Sequence, residues 1–285
     1  MMLKSKQYIL IGIVALLVVV LYNLDIKGLV KQEGENEGMQ NTATSNDKSQ
    51  TVEVEAASVI SVSKQMINES LAADIEKLEK DLAAASADEK ISLQEQIAKK
   101  WDDVNQSAAA AFSYESIAKA KPTLKNWLIA GDRFTEGYQN FRDTTATLGL
   151  LNKAINAYNK AIEIDSTNLD AKTGLGVAYV TGTQNPMQGI QLLLGVVKED
   201  PKNEKANMNL GMFSMKSGQF QKAVDRFKTV IAVKPTPEAW FYLGTSYENL
   251  GQKSEAVLAY EKSKELAADP SLTEFVDRKI KELSN

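Results

Sequence analysis

The sequence contains neither cysteine nor histidine among its 285 residues. The absence of cysteine excludes disulfides, thiolate metal sites and lipid attachment to a cysteine. The absence of histidine removes the commonest general base and the commonest metal ligand. We therefore predict that the chain is not an enzyme and that it has no catalytic residues, no cofactor and no metal site.

The chain also lacks an excess of positive charge, because it has 33 Lys and Arg residues and 37 Asp and Glu residues, which give a net charge of -4. Nucleic-acid binding usually needs a basic face, so we expect no nucleic-acid partner. The carboxylate pairs Asp102–Asp103 and Asp165–Asp170 are typical of ordinary helix-end charges. The glycine-containing segment 174–179 lacks the preceding strand and the third glycine of a dinucleotide-binding fingerprint.

One long apolar run is present, and it lies near the amino terminus. Residues 8–24 form this run, with lysines before it at positions 4 and 6. Its length is at the low end of the about 17–25 residues of a transmembrane helix. We predict a short cytoplasmic tail (1–7), a transmembrane anchor (8–24) and a single-pass protein of the bacterial inner membrane whose carboxy-terminal domain is periplasmic. A cleaved signal peptide is the alternative, and it also predicts export.

Large apolar residues are scarce after the anchor. Residues 31–58 are rich in Glu, Gly, Asn, Ser, Thr and Gln. Such a segment cannot bury enough surface to offset the entropy lost on ordering. The sequence therefore predicts a flexible, disordered linker over residues 25–63.

Helical periodicity begins at about residue 64. Apolar residues recur every three or four positions over 64–85, which predicts one amphipathic helix. Ser86 and Glu89 have the spacing of a capping box that starts the next helix. We interpret 64–123 as amino-terminal helices, in which a degenerate repeat occupies 91–123 and the helix over 64–85 caps it.

A spaced set of residues recurs along the rest of the chain, with offsets of 3, 1, 3, 4, 5, 4 and 3 in its two clearest copies. One copy is Trp240, Leu243, Gly244, Tyr247, Gly251, Ala256, Tyr260 and Ser263. The other is Asn207, Leu210, Gly211, Ser214, Gly218, Ala223, Phe227 and Val230. Earlier copies around Gly176 and Gly131 carry one and about ten extra residues.

This pattern resembles the tetratricopeptide repeat, which reads W-x2-L-G-x2-Y and then a small residue, an aromatic residue and proline over 34 residues. The resemblance implies an all-α, right-handed superhelix of helix-turn-helix units over residues 124–270, with a capping helix at 271–285. The glycine is expected to let two helices approach closely, and the aromatic residue three positions later is expected to fill the gap beneath.

The resemblance also implies that the first helix of each unit lines a concave, partner-binding surface. The predicted binding residues are Leu128, Asp132, Thr173, Val177, Lys205, Met208, Met212, Met215, Phe241, Thr245 and Glu248. Some members of the family hold a terminal carboxylate with Lys and Asn, but this chain has methionine and aromatic residues there instead. We therefore expect an apolar or amphipathic peptide as the partner. The alternative is that these side chains pack against the protein's own terminal helices.

Together these features predict a non-catalytic, membrane-anchored scaffold or adaptor that mediates protein–protein interactions in the cell envelope. The alternative is a self-associating accessory subunit of an envelope assembly or secretion complex. In that alternative, the helix over 64–85 forms a short coiled coil.

Overall fold

The computed structural model describes residues 54–267 and 269–284, and within these ranges the secondary structure is entirely helical. The helices are α1 (Ala56–Gln65), α2 (Glu69–Ala84), α3 (Ala87–Asp103), α4 (Ser107–Ala120), α5 (Leu124–Asn140), α6 (Thr144–Ile164), α7 (Leu169–Gly182), α8 (Pro186–Glu199), α9 (Glu204–Lys216), α10 (Phe220–Val233), α11 (Pro237–Asn249), α12 (Lys253–Leu266) and α13 (Pro270–Ser284). The predicted tail (1–7) and anchor (8–24) lie outside these ranges. In the part of the chain that the structure describes, no helix has the length and apolar character needed to span a bilayer.

Consecutive helices pack in antiparallel pairs, which we call units 1 to 5. Units 1 to 5 are the pairs α3–α4, α5–α6, α7–α8, α9–α10 and α11–α12. The first helices of successive units also contact one another from α5 through α11, and α13 packs on α12. The predicted all-α solenoid is therefore present.

The turn inside three of the units has the same backbone conformation at the same repeat position. Asn105, Gly218 and Gly251 have φ values of 55°, 73° and 73°. Glycine adopts this left-handed region without a steric cost, and asparagine is among the few other residues that visit it routinely. The shared turn places α3–α4 in the same register as units 4 and 5.

The predicted linker is shorter than the sequence indicated, because helix α1 already begins at Ala56. Val59 of α1 is fully buried in a core cluster that contains Phe112 and Phe134. Val54 also packs against this cluster. The prediction of a disordered linker up to residue 63 is thus wrong for its last residues. Their few apolar side chains are buried by distant parts of the chain, and no local pattern shows this.

The single helix predicted over residues 64–85 is divided in two. Helix α1 ends at Gln65 and α2 begins at Glu69. The side chain of Asn68 accepts a hydrogen bond from the backbone N–H of Leu71 at 2.9 Å, which caps the start of α2. The apolar period continues across the break, so periodicity alone did not indicate it.

Helix α2 packs on unit 1. Its Ile75 is buried in a cluster with Ile97 and Trp101, and Leu78 and Leu82 lie against the same cluster. The apolar stripe that suggested a coiled coil is therefore used within the chain.

The capping box at the start of α3 is confirmed. Glu89 accepts hydrogen bonds from the backbone N–H of Ser86 at 3.0 Å and from its hydroxyl at 2.7 Å. These bonds explain why α3 starts immediately after Ser86.

The extra residues of unit 2 lengthen both of its helices. Helices α5 and α6 have 17 and 21 residues, whereas the helices of units 3 to 5 have 13 or 14. Phe141, Ala146 and Leu150, near the junction of α5 and α6, contribute to the core cluster that buries Val59. The insertion thus contributes to the core cluster in which α1 is held, together with Phe112 of α4.

Candidate functional site

In three of the units, the two helices come close together where a first-helix glycine meets a ring of the second helix. In units 2, 4 and 5, a Cβ atom added to a first-helix glycine would lie 2.7 Å from a ring carbon of the second helix. The pairs are Gly131 with Tyr158, Gly211 with Phe227, and Gly244 with Tyr260. The ring beside the glycine therefore comes from the second helix. The expectation that the aromatic residue three positions after the glycine fills this gap is wrong.

When the second-helix ring belongs to tyrosine, its hydroxyl reaches a carboxylate on the first helix. In unit 1, Tyr114 donates to Asp102 at 2.8 Å, and in unit 5 Tyr260 donates to Glu248 at 2.6 Å. Burial, the largest cause, and the bond to Asp102 together raise the pKa of Tyr114 to about 12. Both carboxylates occupy the same repeat position, four residues after the position that holds the glycine in units 2, 4 and 5.

A basic side chain from the following helical layer binds each of these carboxylates. Arg133 of α5 donates to Asp102 through Nε at 2.8 Å and through Nη2 at 3.3 Å. Lys279 of α13 donates to Glu248 at 2.9 Å. Helix α13 is thus linked to unit 5 much as α5 is linked to unit 1. The carboxylate of Asp102, interpreted above as an ordinary helix-end charge, links units 1 and 2.

Unit 2 uses the same hydroxyl with a carboxylate at a different position. Tyr158 donates to Asp132 at 2.8 Å, and its hydroxyl lies 3.2 Å from the hydroxyl of Thr135. Loss of solvent around the carboxylate raises the pKa of Asp132, although the bond from Tyr158 opposes this rise. Burial would also raise the pKa of Glu248, but the bonds from Tyr260 and Lys279 outweigh burial and lower it.

Units 3 and 4 have no hydroxyl at this place, because Leu193 and Phe227 occupy the position of the tyrosines. The first-helix positions that the tyrosine hydroxyl reaches in the other units are apolar here. They are Val177 and Val180 in unit 3, and Met212 and Met215 in unit 4. At these positions, the apolar residues of units 3 and 4 therefore lie between the polar residues of units 1 and 2 and those of unit 5.

We call the surface of α5, α7, α9 and α11 that carries the eleven predicted binding residues the inner face. Thr173 and Val177 are buried, so they offer little surface to a partner. Lys205 is exposed, and Asp132 is exposed as a whole residue although its carboxylate lies against the hydroxyl of Tyr158. The other seven are partly buried: Leu128, Met208, Met212, Met215, Phe241, Thr245 and Glu248.

The methionines of α9 pack against a core cluster that units 4 and 5 share. Met208, Met212 and Met215 surround a core cluster in which the ring of Phe227 stacks on Tyr242, with a centroid distance of 5.6 Å. All three keep part of their surface accessible. This leaves an adaptable apolar strip on α9.

The inner face of unit 5 is partly covered by the protein's own carboxy-terminal helix. The ring of Phe241 lies 5.8 Å from the ring of Phe275 in α13, and Glu248 is held by Lys279. The alternative of self-packing therefore describes unit 5. Lys279 and the tyrosine hydroxyls were missed at the sequence level, although the change from tyrosine to phenylalanine between repeats was a visible signal.

Among the described residues, no group of three or more acidic side chains is placed so that it could hold a metal ion. The chemistry of the inner face is that of packing and hydrogen bonding.

Comparison with known proteins identifies the repeat. Residues 146–182 match a family model described as "TPR repeat", and residues 214–272 match one described as "Tetratricopeptide repeat". The BBSome complex member BBS4 of Bos taurus is 32% identical over 101 residues, which are 35% of this chain and 19% of that protein. This chain thus spans about a fifth of the length of that curated relative.

Two solved structures share the fold. The thermophilic TPR protein TTC0263 of Thermus thermophilus has a TM-score of 0.53 and 19% identity, over 67% of this chain and 98% of that one. PilW, a type IV pilus biogenesis factor, has a TM-score of 0.52 and 21% identity, over 68% of this chain and 85% of that one. Residues 146–182 and 214–272 thus match tetratricopeptide repeats, and the described helices form an all-α solenoid.

Proposed function

We propose that this protein is a non-catalytic scaffold whose inner face holds a peptide segment of a partner protein. Tetratricopeptide repeats bind other proteins and peptides, and the feature that carries the proposal here is the methionine strip of α9. Methionine is flexible and polarisable, so a partly exposed row of Met208, Met212 and Met215 can fit different apolar side chains.

The neighbouring residues indicate an amphipathic partner. The apolar strip is flanked by the exposed Lys205 and by Asp132. Lys205 lies 3.4 Å from Asp170 of α7, with both side chains well exposed, so this ion pair is weak and can exchange for a partner's charges. An apolar segment with charged flanks matches this arrangement.

We further propose that residues 8–24 anchor the protein in the inner membrane and that the repeats act in the periplasm. The support is the apolar run behind Lys4 and Lys6. The anchor would hold the scaffold near membrane partners.

A photo-crosslinking residue at Met212 in the full chain, expressed in cells, tests the inner face. The control carries the same residue at Ile164, which is 49% exposed at the end of α6 and does not belong to the inner face. We expect Met212 to capture a partner protein that Ile164 does not capture, and mass spectrometry to locate the crosslink in an apolar segment. Crosslinks from Met212 that remain within the chain would reject the proposal.

Alkaline carbonate extraction tests the anchor. We expect the full chain to stay in the membrane pellet and a Leu16→Arg/Val19→Arg variant to be released, because charges within the apolar run oppose membrane insertion. Release of the unsubstituted chain would rule out a transmembrane anchor. The crosslinking result at Met212 can be interpreted whichever result the extraction gives.

A further inference from the structure

A second recess lies on the second-helix side of units 3 and 4. It is a cleft of about 710 Å³ between α8 and α10, and residues of α9 also line it. Its apolar lining includes Ile190, Leu210 and Phe213. Met187 and Leu194, also in the lining, are 57% and 38% exposed, so two large apolar side chains of the cleft are accessible to a partner. None of the eleven predicted binding residues lines this cleft.

The charged residues of the cleft are mostly basic. Lys216, Lys222 and Arg226 line it, against the single carboxylate of Asp225. In the described part of the chain, none of these three basic groups has a carboxylate within ion-pair distance. The cleft thus combines an apolar lining with unneutralised positive charge.

One of the basic groups is held in place by a departure from the repeat pattern. Asn207 occupies the position that Trp240 has in unit 5, and its side chain is buried. The Oδ1 atom of Asn207 accepts a hydrogen bond from Arg226 Nη1 at 3.0 Å, and its Nδ2 donates to the carbonyls of Pro201 and Asn203. The asparagine therefore orients the guanidinium of Arg226, whose planar group suits a carboxylate.

The same recess recurs one repeat later with the opposite charge. A cleft of about 600 Å³ lies between α10 and α12, and Glu255 and Ala259 take the places of Lys222 and Arg226. Three carboxylates and two lysines line it, and one of these lysines, Lys262, pairs with Glu265. The positive charge is therefore a property of the cleft in units 3 and 4 and not of every such cleft in the chain.

We propose that the cleft between α8 and α10 is a second docking site, which binds a segment of another protein in which carboxylates stand beside large apolar side chains. The apolar residues of the segment would cover Met187 and Leu194. Its carboxylates would neutralise Lys216, Lys222 and Arg226. Charge complementarity of this kind gives specificity for the partner as well as affinity.

The test uses the full chain and a short fluorescein-labelled peptide in which Glu alternates with Leu and Phe, followed by fluorescence anisotropy. A second peptide has Gln in place of every Glu. We expect the Glu peptide to bind about tenfold more tightly than the Gln peptide, because charge-assisted bonds are lost in the latter. We expect Lys222→Glu/Arg226→Ala to weaken binding of the Glu peptide by about tenfold. This variant places in α10 the residues that α12 has at the same repeat positions.

The matched control is Lys253→Glu/Lys262→Ala in α12, which changes the net charge by the same amount. It should leave binding of the Glu peptide unchanged. Equal weakening by both variants would show non-specific attraction and would overturn the proposal, as would unchanged binding to the α10 variant. Lys216→Glu/Lys222→Glu gives the same test if loss of the bond to Asn207 impairs folding.

A second copy of the chain is the other possible occupant, and the same variants test it. If the peptide does not bind and the protein forms a dimer that Lys222→Glu/Arg226→Ala disrupts, the cleft is a contact between copies and the proposal is overturned. Sedimentation equilibrium provides this measurement.

Discussion

At the scale of single residues, the units differ in whether the second-helix ring carries a tyrosine hydroxyl. Tyr158 and Tyr260 lie beside a glycine in the same way as Phe227 does, but only the tyrosines bring a donor to the first helix. A carboxylate stands at the receiving position in each tyrosine unit, and methionine stands there in the phenylalanine unit. The choice of ring therefore sets whether a unit presents polar or apolar residues.

The two carboxylates bound by tyrosine at opposite ends of the inner face should respond to pH in opposite directions. The pKa of Glu248 is lowered, so its contribution to stability is present above the ordinary glutamate value of about 4.3 and is lost as the pH falls through the lowered pKa. The pKa of Asp132 is raised, so its ionised form disfavours folding. Its contribution is present below the ordinary aspartate value of about 3.9 and is lost as the pH rises through the raised pKa.

We therefore expect Glu248→Gln to lower the free energy of unfolding at pH 7 by about 1–2 kcal/mol, with the difference shrinking as the pH falls below the ordinary glutamate value of about 4.3. Asp132→Asn should raise the thermal unfolding temperature at pH 7 and lose this advantage near pH 4. Thermal unfolding followed by circular dichroism at several pH values provides the measurement. Shifts of the same sign for both variants at pH 7 would contradict the contacts described here.

At the scale of secondary-structure elements, α1 is held on α4 and on the core cluster that α4 shares with the lengthened α5–α6 pair. The segment has few apolar side chains, and Val54, Ala56, Val59 and Val62 lie in or against this cluster. Gly149 of α6 makes this contact close, since a Cβ atom there would lie 2.5 Å from Cβ of Val54. A helix this short depends on tertiary packing for its stability.

We expect Val59→Asp to detach α1 while units 3 to 5 stay folded. Burial of the valine contributes about 1.5–3 kcal/mol, and the variant replaces it with an uncompensated charge. Limited trypsin digestion followed by mass spectrometry should show faster cleavage after Lys64. The control Ala57→Asp adds the same charge at an exposed position of α1 and should digest like the unsubstituted chain. Equal protection of both variants would mean that α1 is not held by Val59.

At the scale of the whole molecule, the repeats form a chain of nearest-neighbour contacts. Each first helix contacts the first helices beside it and its own second helix, and α13 closes the series on α12. The free energy of unfolding of such a solenoid is close to the sum of the stabilities of its units and of the interfaces between neighbouring units. A substitution in one unit therefore destabilises mainly that unit and its neighbours. This arrangement allows the inner face and the cleft between α8 and α10 to act separately.

Gly244→Ala should show this locality. The new methyl group would lie 2.7 Å from the ring of the fully buried Tyr260, and we expect a loss of about 1–3 kcal/mol. Amide hydrogen exchange should rise in α11 to α13 and stay unchanged in α1 to α4. The control Gly195→Ala meets no atom within 4 Å and should stabilise α8 by up to about 1 kcal/mol. A uniform rise in exchange would indicate that the whole solenoid unfolds as one unit.

The sequence by itself determined the parts of the fold that depend on local spacing. The repeat offsets predicted paired helices, and Ser86 and Glu89 predicted a helix start that the structure shows. These features can be predicted because capping and helical periodicity involve residues within a few positions of one another. The same spacing assigned the wrong aromatic residue to the glycine gap, because it does not show which helix supplies the ring.

Only the tertiary structure decided which surfaces are available. It buried Thr173 and Val177, placed α13 against Phe241 and folded α1 onto α4 and the core cluster of units 1 and 2. It also joined Arg226 to Asn207 and gathered positive charge in one cleft. These outcomes depend on side chains that are distant in the sequence and meet only when units stack. The repeat pattern specifies each unit, whereas the burial and charge of its faces are set by its neighbours.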